Sequence, residues 1–255
     1  MQNREATNVT YIITVLLDVN ETQNVDDRAE SRSYIIADRH SGKAAIIDGI
    51  VDNVERDLGI LAELNLTLAY AIETHIHADH ITGASLLRDR TGARIVYGGA
   101  VQGTVTGADI FLSDGRDLPI GETVLRALAS PGHTAGCTSY VLPGAVFTGD
   151  TLFIRGNGRT DLQGGSSAQL FDSVRMKLFA LPDDTIVYPG HDYNGRISST
   201  IGEEKRFNER LKLSIDKATF IAMMQRRHSA PPAQMDVAIP VNMRAGRLPE
   251  LASDR

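Results

Sequence analysis

Thr74-His75-Ile76-His77-Ala78-Asp79-His80 stands directly after the apolar run that ends near Ile72. A β-branched, apolar run followed at once by three imidazoles and a carboxylate is a strand whose end opens into a loop that can bend those side chains round a cation. The pattern recurs downstream. His133 sits in Ser130-Pro131-Gly132-His133-Thr134, Asp150 ends Val146-Phe147-Thr148-Gly149-Asp150, and His191 follows Ile186-Val187-Tyr188-Pro189-Gly190. Each is a ligand-type residue at a strand end, and in all three Pro or Gly precedes it where the chain must turn sharply. Of the 7 histidines only His40 and His228 lack such a setting. Imidazole and carboxylate without cysteine suit an open zinc, iron or manganese site, not a closed structural zinc or an iron–sulfur cluster.

Outward from this stretch, short alternating or β-branched runs predict strands at Tyr11 to Leu17, Ser33 to Ala37, Lys43 to Ile47, Leu68 to Glu73, Ala93 to Tyr97, Glu122 to Ala129, Thr138 to Leu142, Ala145 to Thr148 and Thr185 to Tyr188. Helical spacing links Val54, Leu58 and Leu61, and again Leu170, Val174, Leu178 and Leu181, with Ser166 and Ser167 as candidate N-caps. A third helix is expected over Glu203 to Gln225, then an irregular tail carrying Pro231, Pro232, Pro240 and Pro249. These alternations predict an α/β protein and suggest two sheets flanked by helices, an αββα four-layer sandwich, while periodicity alone leaves other α/β folds open. One domain over residues 1–255 is expected, with 200–255 as a C-terminal helix and irregular tail packed on it. Asp18 to Glu30 reads as a polar insertion.

With 255 residues the chain buries a sizeable core and needs no metal merely to fold, so a metal here has a chemical purpose. A net charge of −6 offers no basic stripe for nucleic acid and does not favour an anionic membrane surface. One cysteine, Cys137, excludes an intramolecular disulfide framework and fits a reducing compartment, so a cytoplasmic location is expected. Tyr11 to Leu17 is too short to cross a bilayer.

The run His75-x-His77-x-Asp79-His80, with His133, Asp150 and His191 following in order, resembles the metallo-β-lactamase superfamily, whose metals lie at the edge of an αββα sandwich. Within it, THIHADHITG (74–83), SPGHTAGC (130–137), FTGDTLFIRGNGRTDLQ (147–163), YPGHDYNG (188–195) and NMRAG (242–246) are similar to the persulfide dioxygenases. That resemblance implies one Fe(II) per chain held by His75, His133 and Asp150, a two-histidine, one-carboxylate face that leaves positions open for substrate and O₂. His77, Asp79, His80 and His191 would support that face through hydrogen bonds; in hydrolases of the superfamily they complete a two-metal site of zinc, iron or manganese. The implied substrate is glutathione persulfide, oxidised to sulfite with release of glutathione. Arg159 and Arg244 would hold its carboxylates and Tyr193 would supply a hydroxyl. A homodimer is the assembly expected of such families.

The alternative is a glyoxalase II-like binuclear hydrolase of glutathione thioesters, motivated by the retained two-metal ligand set. The IRGNGRTD segment matches the dioxygenases better. A β-lactamase and a non-catalytic metal sensor are weaker readings still. The glycines at 156, 158, 164 and 165 form no phosphate loop, since no Lys-Ser/Thr follows, and instead predict close backbone approach to substrate.

Overall fold

The computed structural model describes residues 11–19, 30–227 and 229–248. Most of the polar 18–30 stretch, together with His228 and Pro249, lies outside the described residues. Among the described residues, one sheet runs β1 (Tyr11–Val19), β2 (Glu30–Asp38), β3 (Lys43–Ile47), β4 (Thr67–Ile72), β5 (Arg94–Gly98) and β6 (Ile110–Leu112), side by side in chain order. The second runs β13 (Ser199–Thr200), β11 (Ile186–Pro189), β10 (Ala145–Gly149), β9 (Thr138–Leu142), β8 (Thr123–Ala129) and β7 (Asp117–Ile120). A two-residue strand, β12 (His191–Asp192), joins the first sheet by pairing His191 with Ser31 at the start of β2.

Strand alternation separates the layers. Tyr34 and Ile36 of β2 enter the cluster between the sheets, with Ala45, Ile47, Ile72, Leu125, Tyr140 and Phe147, whereas Ile35 and Ala37 face the helices on the other side. The outer layer on the first sheet is α1 (Val54–Glu63) and α2 (Ala84–Thr91), docked through Val54, Leu61, Ala84 and Leu87. On the second sheet Val146 and Val187 meet Leu170, Val174, Leu178, Ile201 and Phe220. The result is the expected αββα sandwich. Of its parallel pairs, β3 with β4, β4 with β5 and β10 with β11 have α-helices in their crossovers, whereas β5 with β6 is joined by the shorter 99–109 link.

Ser166 caps α3 (Ser167–Asp172) by accepting from the Gln169 amide, and the helix continues in wider π turns over Ser173–Lys177. The single helix expected over Glu203 to Gln225 is instead two, α4 (Ile201–Phe207) and α5 (Lys217–Gln225). Asn208 divides them: its side-chain oxygen accepts from the amides of Arg210 and Leu211, an alternative to helical bonding that asparagine offers readily. Asp216 then caps α5 through the Thr219 amide. The tail expected to be irregular forms α6 (Met235–Asn242), with Pro240 tolerated inside it. α2 was not foreseen either, since it is two turns long with only Ala84, Ser85 and Leu87 buried.

Candidate metal centre

The loops that leave β4, β8, β10 and β11 open at one edge of the sandwich and carry His75 to His80, His133, Asp150 and His191 respectively. There the ligand atoms of His75, His133 and Asp150 lie within 4.8 Å of one another, as do those of His77, Asp79 and His80. His191 Nε2 is 3.6 Å from both Asp79 Oδ2 and Asp150 Oδ1, so it stands between the two groups. All seven are buried except Asp79, which is partly exposed.

Counting protons shows where the lone pairs point. Thr74 Oγ1 donates its one proton to Asp48 Oδ2 at 2.8 Å, so its contact with His75 Nδ1 at 2.9 Å is one in which the imidazole donates; His75 Nε2 is left unprotonated. His133 Nδ1 lies 2.8 Å from the Arg159 carbonyl, which can only accept, and this leaves His133 Nε2 as the lone pair, 3.5 Å from Asp150 Oδ2. His77 Nε2 is held at 3.2 Å by Asp48 Oδ1 and by Glu73 Oε2. That leaves His77 Nδ1 buried with no hydrogen-bond partner, a condition shared by His80 Nε2 and Asp150 Oδ1. Buried polar atoms are seldom left so, and several converging lone pairs are what a cation satisfies.

Burial and the neighbouring rings of His77 and His133 hold His75 well below the ordinary imidazole range, so it is a neutral donor. Burial disfavours charge on His77, but Asp48 and Glu73 outweigh it and raise that ring well above its usual value, so a cation bound at Nδ1 would displace a proton from it. Desolvation opposes charge on Asp79, yet His80 and His191 keep its carboxyl well below the usual range.

The backbone is shaped around this cluster. A Cβ on Gly158 would lie 2.4 Å from the Asp150 carbonyl and 3.0 Å from His133 Nδ1, and one on Gly190 would lie 2.4 Å from Asp150 Oδ1. Gly158 thus packs directly against His133 and Asp150, and Gly165 against the His133 carbonyl. Cys137 beside it is buried, its sulfur contacted by the Thr134 amide, and burial pushes the thiol up to about 11.

Asp48 and Glu73 escaped the sequence reading. Asp48 follows β3 in a left-handed backbone conformation (φ 53°), with its carboxylate on the Thr74 amide and on His77. Ile-Ile-Asp-Gly at 46–49, an acid and a glycine closing a strand, was the available signal.

The expected substrate residues are dispersed. Tyr193 lies beside the cluster, its ring 6.2 Å from His191 and parallel to it. The Arg159 guanidinium is already engaged, donating to both Asp161 oxygens and to the Ser229 and Ala230 carbonyls. Arg244 follows α6 with its carbonyl near Gly107 and does not line the cavity next to the centre. That cavity, about 150 Å³, is bordered by Phe153, Tyr193, Arg210 and Arg227, and the Phe153 ring stands 5.8 Å from His191. Arg210 Nε donates to Asn157 Oδ1 and Arg227 Nη1 to the Asn157 carbonyl; neither guanidinium has a carboxylate at ion-pair distance among the described residues.

Comparison with known proteins places this geometry in context. A family model described as the metallo-β-lactamase superfamily matches residues 27–191. The mitochondrial persulfide dioxygenase ETHE1 of Homo sapiens is 43% identical over 217 residues, 84% of each chain. A probable metallo-hydrolase of Burkholderia pseudomallei is 34% identical, covering 86% of this chain and 90% of that one. The crystal structure of ETHE1 from Myxococcus xanthus superposes with a TM-score of 0.82 at 40% identity, covering 91% of this chain and all of that one.

Proposed function

The chain belongs to the metallo-β-lactamase superfamily, and we propose that within it the chain is an iron(II)-dependent persulfide dioxygenase acting on glutathione persulfide. The observation that carries this reading is the identity to persulfide dioxygenases over most of both chains, joined to a compact His75, His133, Asp150 group able to bind a metal on one face. The balanced reaction takes one persulfide, one O₂ and one water to one thiol and sulfurous acid, which ionises to sulfite.

His75, His133 and Asp150 would hold the iron through Nε2, Nε2 and a carboxylate oxygen. Bound there, Fe(II) supplies open positions at which O₂ and a sulfur anion can react. The protein's own part is orientation. Thr74 and the Arg159 carbonyl fix the tautomers of His75 and His133, and Asp48 with Glu73 does so for His77. Phe153 and Tyr193 form the wall between centre and cavity. Arg210 and Arg227, with no carboxylate at ion-pair distance among the described residues, would join Arg159 and Arg244 as cations able to receive a carboxylate of the thiol carrier.

A second reading, the binuclear thioester hydrolase, is favoured by one observation: Asp79, His80 and His191 converge beside Asp150 as a second ligand group would. Metal analysis of protein purified without added metal, together with an oxygen-electrode trace on glutathione persulfide, separates the two. About one iron per chain, O₂ uptake and sulfite release are expected on the facial-triad argument. Two zinc ions per chain without O₂ uptake would overturn the dioxygenase. Asp79→Asn should keep its iron and reduced O₂ uptake in the first case and lose one of two metals in the second.

A further inference from the structure

We infer that Asn242, the last residue of α6, is a positioning residue of the metal centre, tying the C-terminal segment to the loop that carries His77, Asp79 and His80. The inference rests on the reading that this centre holds a metal. Asn242 is fully buried, and its side chain bonds groups 160 to 165 residues away in sequence. Its Nδ2 donates to the His77 carbonyl at 2.9 Å and to the His80 carbonyl at 2.8 Å, and its Oδ1 accepts from the Thr82 amide at 2.9 Å. Both protons of the amide, and its oxygen, are thus committed to one six-residue stretch.

That stretch has no regular secondary structure to satisfy its backbone, so its shape depends on partners brought from elsewhere. Gln163 Nε2 holds the Ile76 carbonyl at 2.9 Å, and the Val51 amide holds that of Ile81 at 3.0 Å. Among the described residues, Asn242 alone grips the stretch with side-chain bonds at three points, and these bracket Asp79. Removing its amide would free the peptide planes at His77 and His80, two imidazoles that each have a buried nitrogen without a hydrogen-bond partner. α6 is itself held by the Thr106 amide on the Met243 carbonyl and the Ser85 amide on that of Ala245, so the clamp has a fixed base.

The test is the affinity and visible spectrum of Co(II) bound to the metal-free full chain, which depend neither on iron nor on turnover. Asn242→Ala is expected to weaken Co(II) binding about tenfold, the low end of the range typical when a direct partner of the ligands is lost, because Asn242 acts through the loop and not on His75, His133 or Asp150, and to alter the ligand-field bands. Asn242→Asp, of similar shape, keeps an acceptor for Thr82 but lacks the paired donors, and is expected to weaken binding as well. Val241→Ala, which loosens the neighbouring buried contact of α6 without touching the loop, should lower the melting temperature and leave the Co(II) spectrum as in the parent. Parent-like affinity and spectrum in folded Asn242→Ala would overturn the assignment. So would an equal loss in Val241→Ala at equal cost in melting temperature.

The parent chain provides a check independent of any variant. The Thr82 amide should exchange with solvent as slowly as core amides, and rapid exchange would refute the clamp. Co(II) binding by a parent without dioxygenase activity would reject the proposed reaction while leaving this comparison intact.

Discussion

Two arginines illustrate how differently one side chain can be employed. Arg159 places four N–H···O bonds on Asp161, Ser229 and Ala230, and its carbonyl sets the His133 tautomer, so its first effect is to hold the 156–163 loop against the segment after α5. Arg210 is partly buried beside Arg227, and burial together with that neighbouring cation lowers its proton affinity; an anion in the cavity would relieve both. Arg210→Ala should therefore raise KM for glutathione persulfide about tenfold with kcat and metal content nearly unchanged, since a contact remote from the sulfur binds ground and transition states alike. Arg159→Ala should instead lower the melting temperature. Steady-state kinetics beside thermal unfolding of both variants checks the pair, and an unchanged KM in Arg210→Ala would remove the cavity from the substrate site.

At the level of elements, the turn after β2 is joined to β8 across the sandwich by Asp38. Ser41 and Thr123 each donate a backbone amide and a hydroxyl to its carboxylate. Burial opposes charge on Asp38, but these four donors outweigh it and bring the carboxyl down to about 2. A carboxyl depressed on folding contributes stability that is present above its ordinary value of 3.8 and is lost as pH falls towards 2. Asp38→Ala is expected to cost about 2–4 kcal/mol near neutral pH, from lost bonds to a charged acceptor, and the gap to the parent should narrow as pH drops to 2. Urea unfolding at neutral and acid pH measures this; a pH-independent gap would show that the charge is not what matters. The division of the expected 203–225 helix belongs to the same scale. Helical spacing of Phe207, Leu211 and Ile215 was legible, but the Asn208 side chain competes for the amides of Arg210 and Leu211, and Phe207 remains exposed.

Across the whole molecule the two sheets meet through Tyr34, Phe147 and Tyr188, whose rings pack at 5.1–5.5 Å. Phe147→Ala, at a fully buried position, should destabilise the chain by about 3–5 kcal/mol through lost burial and a residual cavity, read by denaturant unfolding. A cost under about 1 kcal/mol would mean that the sheets are not coupled through this cluster. Legible in the sequence were the imidazoles and carboxylates and the strand ends that bear them, while the αββα layering rested on a resemblance to a known superfamily. The first two follow from local chemistry: an apolar run of period two, a turn residue, then an imidazole or carboxylate. Packing alone settled that His191 stands between two clusters of His and Asp side chains, that Asp48 and Glu73 hold His77, that Arg159 has a carboxylate partner while Arg210 has none at ion-pair distance among the described residues, and that Asn242 bonds the 77–82 loop. These relations join residues far apart in the chain, or depend on which way a buried side chain turns. Periodicity records which face of an element is apolar, whereas the partner of a buried polar atom is settled only when distant elements pack and each remaining donor and acceptor must be satisfied.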